Sequence, residues 1–327
     1  VPFFNERVPS DFDGILRVDK YVSTVSKEIG RSKLKTGVTK IFINGNPSKL
    51  SSKVKADDQI DIEWEENIPD DILPEEIPLD IIYEDDNVTI VNKKQGMVVH
   101  PAAGNWNGTL VNALLFHWGR SIIPQIVKGS VSEILAARRP GIVHRLDKDT
   151  SGIIITAKNT ASENWLQTEF REHRVKKEYI AIVCGRPPHE SGDIRTQIIR
   201  DPRNRKIYTA VTGTTAGKFA RTLYQCIESF GNYSFLRILL KTGRTHQIRV
   251  HMKYLGCPIL GDPLYGKIDK NFTNATLMLH ARMLCIRLPE QAVFSRFISP
   301  VPVRFKKVLD ILKKENPHRV VQSEESE

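Results

Sequence analysis

The chain is predicted to be α+β, with a mixed, mostly antiparallel sheet in a large domain and a small αα/ββ unit before it. Three observations lead there. Short alternating or β-branched runs outnumber helical stripes. Many connections between runs are too short to hold a crossover helix, which favours antiparallel pairing. A proline-bearing acidic stretch, residues 65–78, divides the 327 residues into two parts.

Residues 1–16 read as a lead-in with little structure of its own. From Arg17 to Ile29, apolar residues at 18, 21, 22, 25 and 29 make a helical stripe that Gly30 stops. A second basic segment follows from Arg31 to Lys35 and is weakened by Gly37. Ile41-Phe-Ile is a short strand, and Asn44-Gly45 supplies the positive φ that a tight turn needs. Asp57 to Trp64 alternates polar and apolar residues as a strand does. Residues 17–64 thus form a small unit, and Pro69, Pro74 and Pro78 mark residues 65–78 as a linker.

The large domain is expected over residues 79–315, with a disordered tail over 316–327. Ile81-Ile-Tyr and Val88-Thr-Ile-Val pair around an Asp-Asp-Asn turn. Lys94 to Pro101 reads as a strand ending at proline, and Leu110 to His117 as a helix. Thr160-Ala-Ser-Glu163 has capping-box spacing and opens a helix through Phe170. Lys177 to Gly185, Thr222 to Ile227 and Tyr233 to Leu240 are strands. Thr245 is placed to cap a helix that runs through Leu255 and stops at Gly256.

Charge is unevenly spread within a net of +10. Arg17 to Lys55 holds ten basic and two acidic residues, whereas Asp57 to Asp86 holds fourteen acidic and no basic ones. The rest of the chain is basic again. Two basic blocks separated by an acidic spacer suit a polyanion. Cys184, Cys226, Cys257 and Cys285 are far apart and form no CxxC pair, so reduced buried thiols are expected. No signal peptide or membrane span is visible, and a soluble, cytoplasmic monomer is expected.

Chemistry points to one stretch, Gly141-Ile-Val-His-Arg-Leu-Asp-Lys-Asp-Thr-Ser-Gly152, followed by Ile153-Ile-Ile-Thr-Ala157. Two apolar runs read as strands around a loop packed with polar side chains. Such a loop is a rigid mount for a reacting group. Asp147 follows the first run and lies beside Arg145. A lone loop aspartate is more often a turn or cap residue, and Asp149, Thr150 and Ser151 fit that reading. His246 and His251 are five apart and fall on different faces of a helix, so no metal site is expected. His144 reads as a structural hydrogen-bonder. No phosphate loop or dinucleotide fingerprint occurs.

Two resemblances sharpen this reading. Arg17-Val-Asp-Lys-Tyr21, Ser32-Lys-Leu34, Ile43-Asn-Gly-Asn-Pro47 and Val54 to Ile60 resemble the S4 RNA-binding domain, although Lys35 to Lys40 is less apolar than its second helix. The resemblance implies RNA contact by Arg17, Lys20, Arg31 and Lys33. His144 to Gly152 resembles the signature of the RluA family of pseudouridine synthases, whose large-subunit branch acts on 23S rRNA. Lys177-Glu-Tyr179, Ala181 to Gly185, Thr242 to His251, Pro258 to Asp262, Tyr265-Gly266 and Leu279-His-Ala281 are similar to its later motifs. Together the resemblances cover residues 15–310.

That family breaks the bond from ribose C1′ to N1 of uracil and rejoins the base through C5. The resemblance implies Asp147 as the carboxylate that attacks the sugar or takes a proton from it, with no cofactor and no metal. It implies Arg249 as the partner that keeps the carboxylate charged. It puts Tyr179 against the uracil ring, and Arg145 in the space that a flipped base vacates. Arg244 is assigned to RNA phosphate or to loop structure. Two rivals are an S4-containing ribosome assembly factor with an inactive catalytic fold, and a glycosylase that releases the base.

Overall fold

The computed structural model describes residues 3–26, 34, 38–64, 72–101, 105–120, 141–202, 204 and 206–316. Arg31, Lys33 and residues 317–327 lie outside them. The chain divides into two compact units, Val1–Asp70 and Asp71–Glu327.

The first unit contains β1 (Phe3–Arg7), β2 (Leu16–Arg17), α1 (Val18–Val25), β3 (Val38–Ile43), β4 (Asn46–Pro47), β5 (Lys53–Val54) and β6 (Gln59–Trp64). The stripe on α1 buries Val18, Tyr21 and Val22 against Ile41, Ile60 and Ile62. Each such burial stabilises by about 1.5–3 kcal/mol. Asn44 and Gly45 have φ of 51° and 77°, the left-handed pair that closes the β3–β4 hairpin. The lead-in expectation needs correcting. β1 pairs with β6 along its length, from Phe3 opposite Glu63 to Arg7 opposite Gln59. β6 has two edges, β3 takes one, and the amino-terminal residues fill the other.

The second unit holds β7 (Ile81–Glu84), β8 (Val88–Lys93), α2 (Leu110–His117), β9 (Ser151–Ala157), α3 (Thr160–Arg171), β10 (Lys176–Cys184), β11 (Ser191–Arg200), β12 (Tyr208–Val211), β13 (Lys218–Phe230), β14 (Tyr233–Leu240), α4 (Gln247–Tyr254), β15 (Leu279–Arg287), β16 (Phe294–Ile298) and α5 (Val303–Glu315). One ten-stranded sheet runs in the order β12-β11-β13-β14-β10-β15-β9-β8-β7, with β16 also on β15. Its pairs are antiparallel except β15 with β9. β9 is buried throughout. Ile154 enters a core shared with α2, α4 and α5, while Ile153 and Ile155 enter one shared with α3. A strand covered on both faces reads as a continuous apolar run, as Ile153-Ile-Ile does.

Several expectations shift. Lys94–Pro101 is not a strand; its Val98 and Val99 carbonyls instead accept the Leu110 and Val111 amides of α2. The second half of the expected linker packs on the large unit: Ile72 is buried in its main core, and the Glu75 carboxylate accepts the Gly108 amide. The run before Asp147 makes one isolated bridge, Ile142 to Thr156, rather than a strand. The α3 cap is Asn159, whose side chain accepts the Ser162 amide, one residue before the expected Thr160. No helix among the described residues is long and apolar enough to cross a membrane.

Candidate active site

Glycines clamp both ends of the Asp147 loop. Gly141 and Gly152 have φ of 69° and 113°. A Cβ on Gly141 would lie 2.0 Å from the Ala157 carbonyl oxygen, and one on Gly152 would lie 2.2 Å from that of Ala281. Only glycine lets these backbones approach so closely. Between the clamps, the loop carbonyls are tied down. Lys148 O accepts from the Gly96 amide at 2.9 Å and from Lys93 Nζ at 3.1 Å. Asp149 O accepts from Gln95 Nε2 at 2.9 Å, and Asp147 O from the Thr150 amide at 3.1 Å.

Lys93 is buried and donates also to Lys94 O and Met97 O. Burial pulls its pKa down to about 7, and the charges of Asp147 and Asp149 oppose that. Three carbonyl acceptors match the three protons of an ammonium group.

The sheet delivers the other groups to this loop. Gly152 on β9 and Tyr179 on β10 both pair with Ala281 on β15, from opposite sides. The β10–β15 register slips between Glu178 and Tyr179. A bulge at that point re-aims the side chain. β14 borders β10 on its other edge and leads into α4, which carries Arg249. Tyr179 is buried at 7 % exposure. Burial, and secondarily the Asp147 charge, raise its hydroxyl pKa, so the phenol stays protonated.

Arg249 is almost wholly enclosed. Its Nε and Nη2 each donate at 2.8 Å to Asp262, and its Nη1 lies 3.4 Å from Asp147 Oδ2. Burial works against the guanidinium charge, but Asp262 and then Asp147 outweigh it, and its pKa is raised. Asp262 Oδ1 also accepts the Leu264 and Tyr265 amides. The bidentate pair therefore fixes the arginine, and the arginine presents its remaining edge to Asp147. The Tyr265 ring lies 5.2 Å from the Arg249 guanidinium carbon.

Thr245 does not cap α4. The cap position is His246, in the left-handed region at φ 56°, and its side chain makes no cap bond. Its Nδ1 lies 2.8 Å from the Tyr265 hydroxyl, and its Nε2 lies 3.9 Å from Asp147 Oδ2. Burial lowers the His246 pKa against the pull of Asp147, so the ring is neutral at pH 7. Gly256 does end the helix, at φ 77°.

Asp147, Tyr179, His246 and Arg249 border a cavity of about 800 Å³. Asp147 is its only carboxylate among the described residues. Arg145, Lys148, Arg171, Lys177, Arg244 and Arg249 supply six cationic side chains around it. Arg145 and Arg244 are exposed at its mouth. Arg244 is partly committed to the protein, because its Nε donates to Phe219 O. His144 accepts the Ile155 amide at 3.0 Å and stacks on Phe170 at 4.6 Å. Burial drives its pKa down to about 3, as a structural hydrogen-bonder requires.

In the first unit Lys20 is exposed, whereas Arg17 grips the buried Asp19 carboxylate at 3.0 and 3.2 Å. In the sequence alone Lys93, Asp262 and Tyr265 carry no assigned role, and His246 is set aside as a metal ligand. Nothing local marks Lys93, a lysine at a strand end.

The sequence of the large unit matches a known class. A family model described as RNA pseudouridylate synthase matches residues 87–254, which hold Asp147, Tyr179, His246 and Arg249. The chain belongs to the RNA pseudouridine synthases, isomerases that act on RNA. It is 42% identical over 308 residues, 91% of each chain, to the ribosomal large subunit pseudouridine synthase D of Borreliella burgdorferi. It is 37% identical to the uncharacterized RNA pseudouridine synthase YlyB of Bacillus subtilis, over 91% of this chain and 94% of the other. The structure of human RNA pseudouridylate synthase domain containing 4 shares the fold, with a TM-score of 0.54 at 24% identity over 71% of this chain and 92% of that one.

Proposed function

We propose that this enzyme isomerises specific uridines of large-subunit (23S) rRNA, with Asp147 as the reacting carboxylate. One observation carries the assignment: among the described residues Asp147 is the single carboxylate lining a basic cavity, 19 % exposed, with Arg249 against one of its oxygens. The name of the Borreliella relative supports the choice of substrate.

Asp147 either attacks C1′ or removes a proton from the sugar. The C1′–N1 bond breaks, the base turns, a C1′–C5 bond forms, and the proton on C5 is exchanged for one on N1. The reaction is an isomerisation and consumes nothing else. Arg249, fixed by Asp262, sets its positive edge 3.4 Å from Asp147 Oδ2 and so orients the carboxylate toward the sugar. Tyr179 packs against uracil and supplies a protonated hydroxyl near C5. The target nucleotide leaves its stack at a cost of a few kcal/mol. Arg145, exposed beside Asp147, fills the gap and stacks on neighbouring bases. Arg244 meets phosphate. The first unit holds RNA through Lys20, with Arg31 and Lys33; Arg17 contributes through an edge not used by Asp19.

The test is pseudouridine mapping after incubating the protein with 23S rRNA transcripts and with precursor particles. Site-specific product is expected with the wild type. Asp147→Asn should retain RNA binding and make no product. A variant with substantial activity would move the reacting group elsewhere, and RNA binding by a wild type without product would favour an assembly factor.

A further inference from the structure

Asp147 and His246 leave a gap of definite chemistry between them. His246 Nε2 and Asp147 Oδ2 are 3.9 Å apart, too far for a direct hydrogen bond. The ring cannot swing freely. Its backbone is held at φ 56° at the start of α4, and it packs edge-on against Tyr208 and Tyr265, with centroids 5.7 and 5.6 Å away. A non-glycine residue in that backbone region is uncommon, and such positions concentrate at functional sites.

Its surroundings suit one tautomer. The Tyr208 amide donates to the Tyr265 oxygen at 2.9 Å, and that hydroxyl lies 2.8 Å from His246 Nδ1, so its own proton can be given to Nδ1. In this tautomer the neutral ring carries its proton on Nε2, which faces Asp147. The gap is thus bounded by one N–H donor and one carboxylate acceptor. An oxygen about 2.8 Å from each fits a 3.9 Å separation, provided that it both accepts and donates. A hydroxyl does both.

The hydroxyl nearest the reacting sugar carbon of a ribonucleotide is the 2′-OH. We propose that His246 Nε2 and Asp147 Oδ2 form a two-point receptor for the 2′-hydroxyl of the target uridine, and that His246 thereby restricts the enzyme to ribonucleotides. The inference rests on Asp147 being the reacting carboxylate. Arg249 Nη1 meets the same Oδ2 at 3.4 Å, so this oxygen serves binding. Among the described residues no hydrogen bond or ion pair reaches Oδ1, which is left for the sugar. A deoxynucleotide would leave Nε2–H without a partner and Oδ2 with Arg249 alone.

The experiment compares 23S rRNA transcripts made with UTP and with dUTP in place of UTP. Conversion rates are measured for the wild type, His246→Asn and His246→Gln. Asparagine tolerates the left-handed backbone but its amide is too short to reach the gap. Glutamine keeps a donor near the Nε2 position. Dividing each protein's ribo-to-deoxy ratio by that of the wild type cancels the intrinsic effect of the 2′ substituent on the chemistry.

The wild type is expected to prefer the ribo-substrate by tenfold or more (about what one unpaired buried polar group costs). His246→Asn should lose most of that preference and His246→Gln should keep most of it. Equal wild-type rates on both substrates would overturn the proposal, as would an undiminished preference in His246→Asn. If the asparagine variant does not fold, by its melting curve, the wild-type ratio and the glutamine variant still decide. Failure of the underlying reading looks different: product from Asp147→Asn on the ordinary transcript, or none from the wild type.

Discussion

Replacing Asp262 by asparagine should damage both stability and catalysis, although Asp262 lies outside the cavity lining. The native carboxylate accepts four hydrogen bonds, two from Arg249 and one each from the Leu264 and Tyr265 amides. Asp262 is 2 % exposed and Arg249 is 3 % exposed. Asparagine keeps one oxygen, which can still serve the two amides. It turns an NH₂ group toward the guanidinium and removes the compensating charge. Breaking a buried pair from one side costs about 3–5 kcal/mol. The retained oxygen puts the expectation at the lower end, about 3 kcal/mol, or a melting shift of roughly 6–12 °C for a unit of this size.

Among the described residues the freed arginine has one other paired anion to approach, Asp147 at 3.4 Å. A tight pair there would draw the carboxylate off the substrate, so kcat should fall at least tenfold with KM nearly constant. Urea titration followed by the intrinsic fluorescence of the large unit, with single-turnover kinetics, reads both effects. A stability loss under about 1 kcal/mol with unchanged kcat would refute the claim that Asp262 holds Arg249 in place.

Other outcomes follow from the same geometry. Gly152→Ala forces a Cβ to 2.2 Å from the Ala281 carbonyl at φ 113° and should cost at least ~2 kcal/mol, seen as a lowered melting temperature. Lys93→Met removes the ammonium donor from the Lys94 and Met97 carbonyls and leaves Lys148 O to the Gly96 amide alone; amide exchange at Gly96 should speed up while that in β13 stays unchanged. His144, His251 and His280 are held neutral by burial, with pKa near 3, 4 and 3 against an ordinary 6.5. The unfolded chain therefore binds more protons below about pH 6.5, and stability falls as pH drops from there toward 4. Each site accounts for about 2 kcal/mol at pH 5. Melting temperatures that stay flat between pH 7 and pH 5 would contradict this assignment.

Local pattern was enough for much of this chain. Ile153-Ile-Ile reads as a doubly covered strand because it lies mid-sheet. Asn44-Gly45 reads as a hairpin because only certain residues accept positive φ. The stripe at Val18, Tyr21 and Val22 reads as a helix because one face must be buried. Local pattern failed where a segment's partner is remote. β1 exists because β6 has a free edge, and Lys94–Pro101 is irregular because α2 uses its carbonyls. Thr245 loses the cap position to His246 because a ring wedged between two tyrosines sets that backbone.

The sequence by itself determined the fold class, the paired strands of the large sheet, and Asp147 as the loop carboxylate to watch. It did so because alternation, glycine and charge act within a few residues of one another. The convergence on that carboxylate belongs to the tertiary structure. Asp147 is 32 residues from Tyr179 and 102 from Arg249 along the chain, yet the β14-β10-β15-β9 order and the α4 crossing bring all three to one cavity. Lys93, Asp262 and His246 matter only as neighbours in space. A buried charge or a strained ring has no signature in sequence until its surroundings are known.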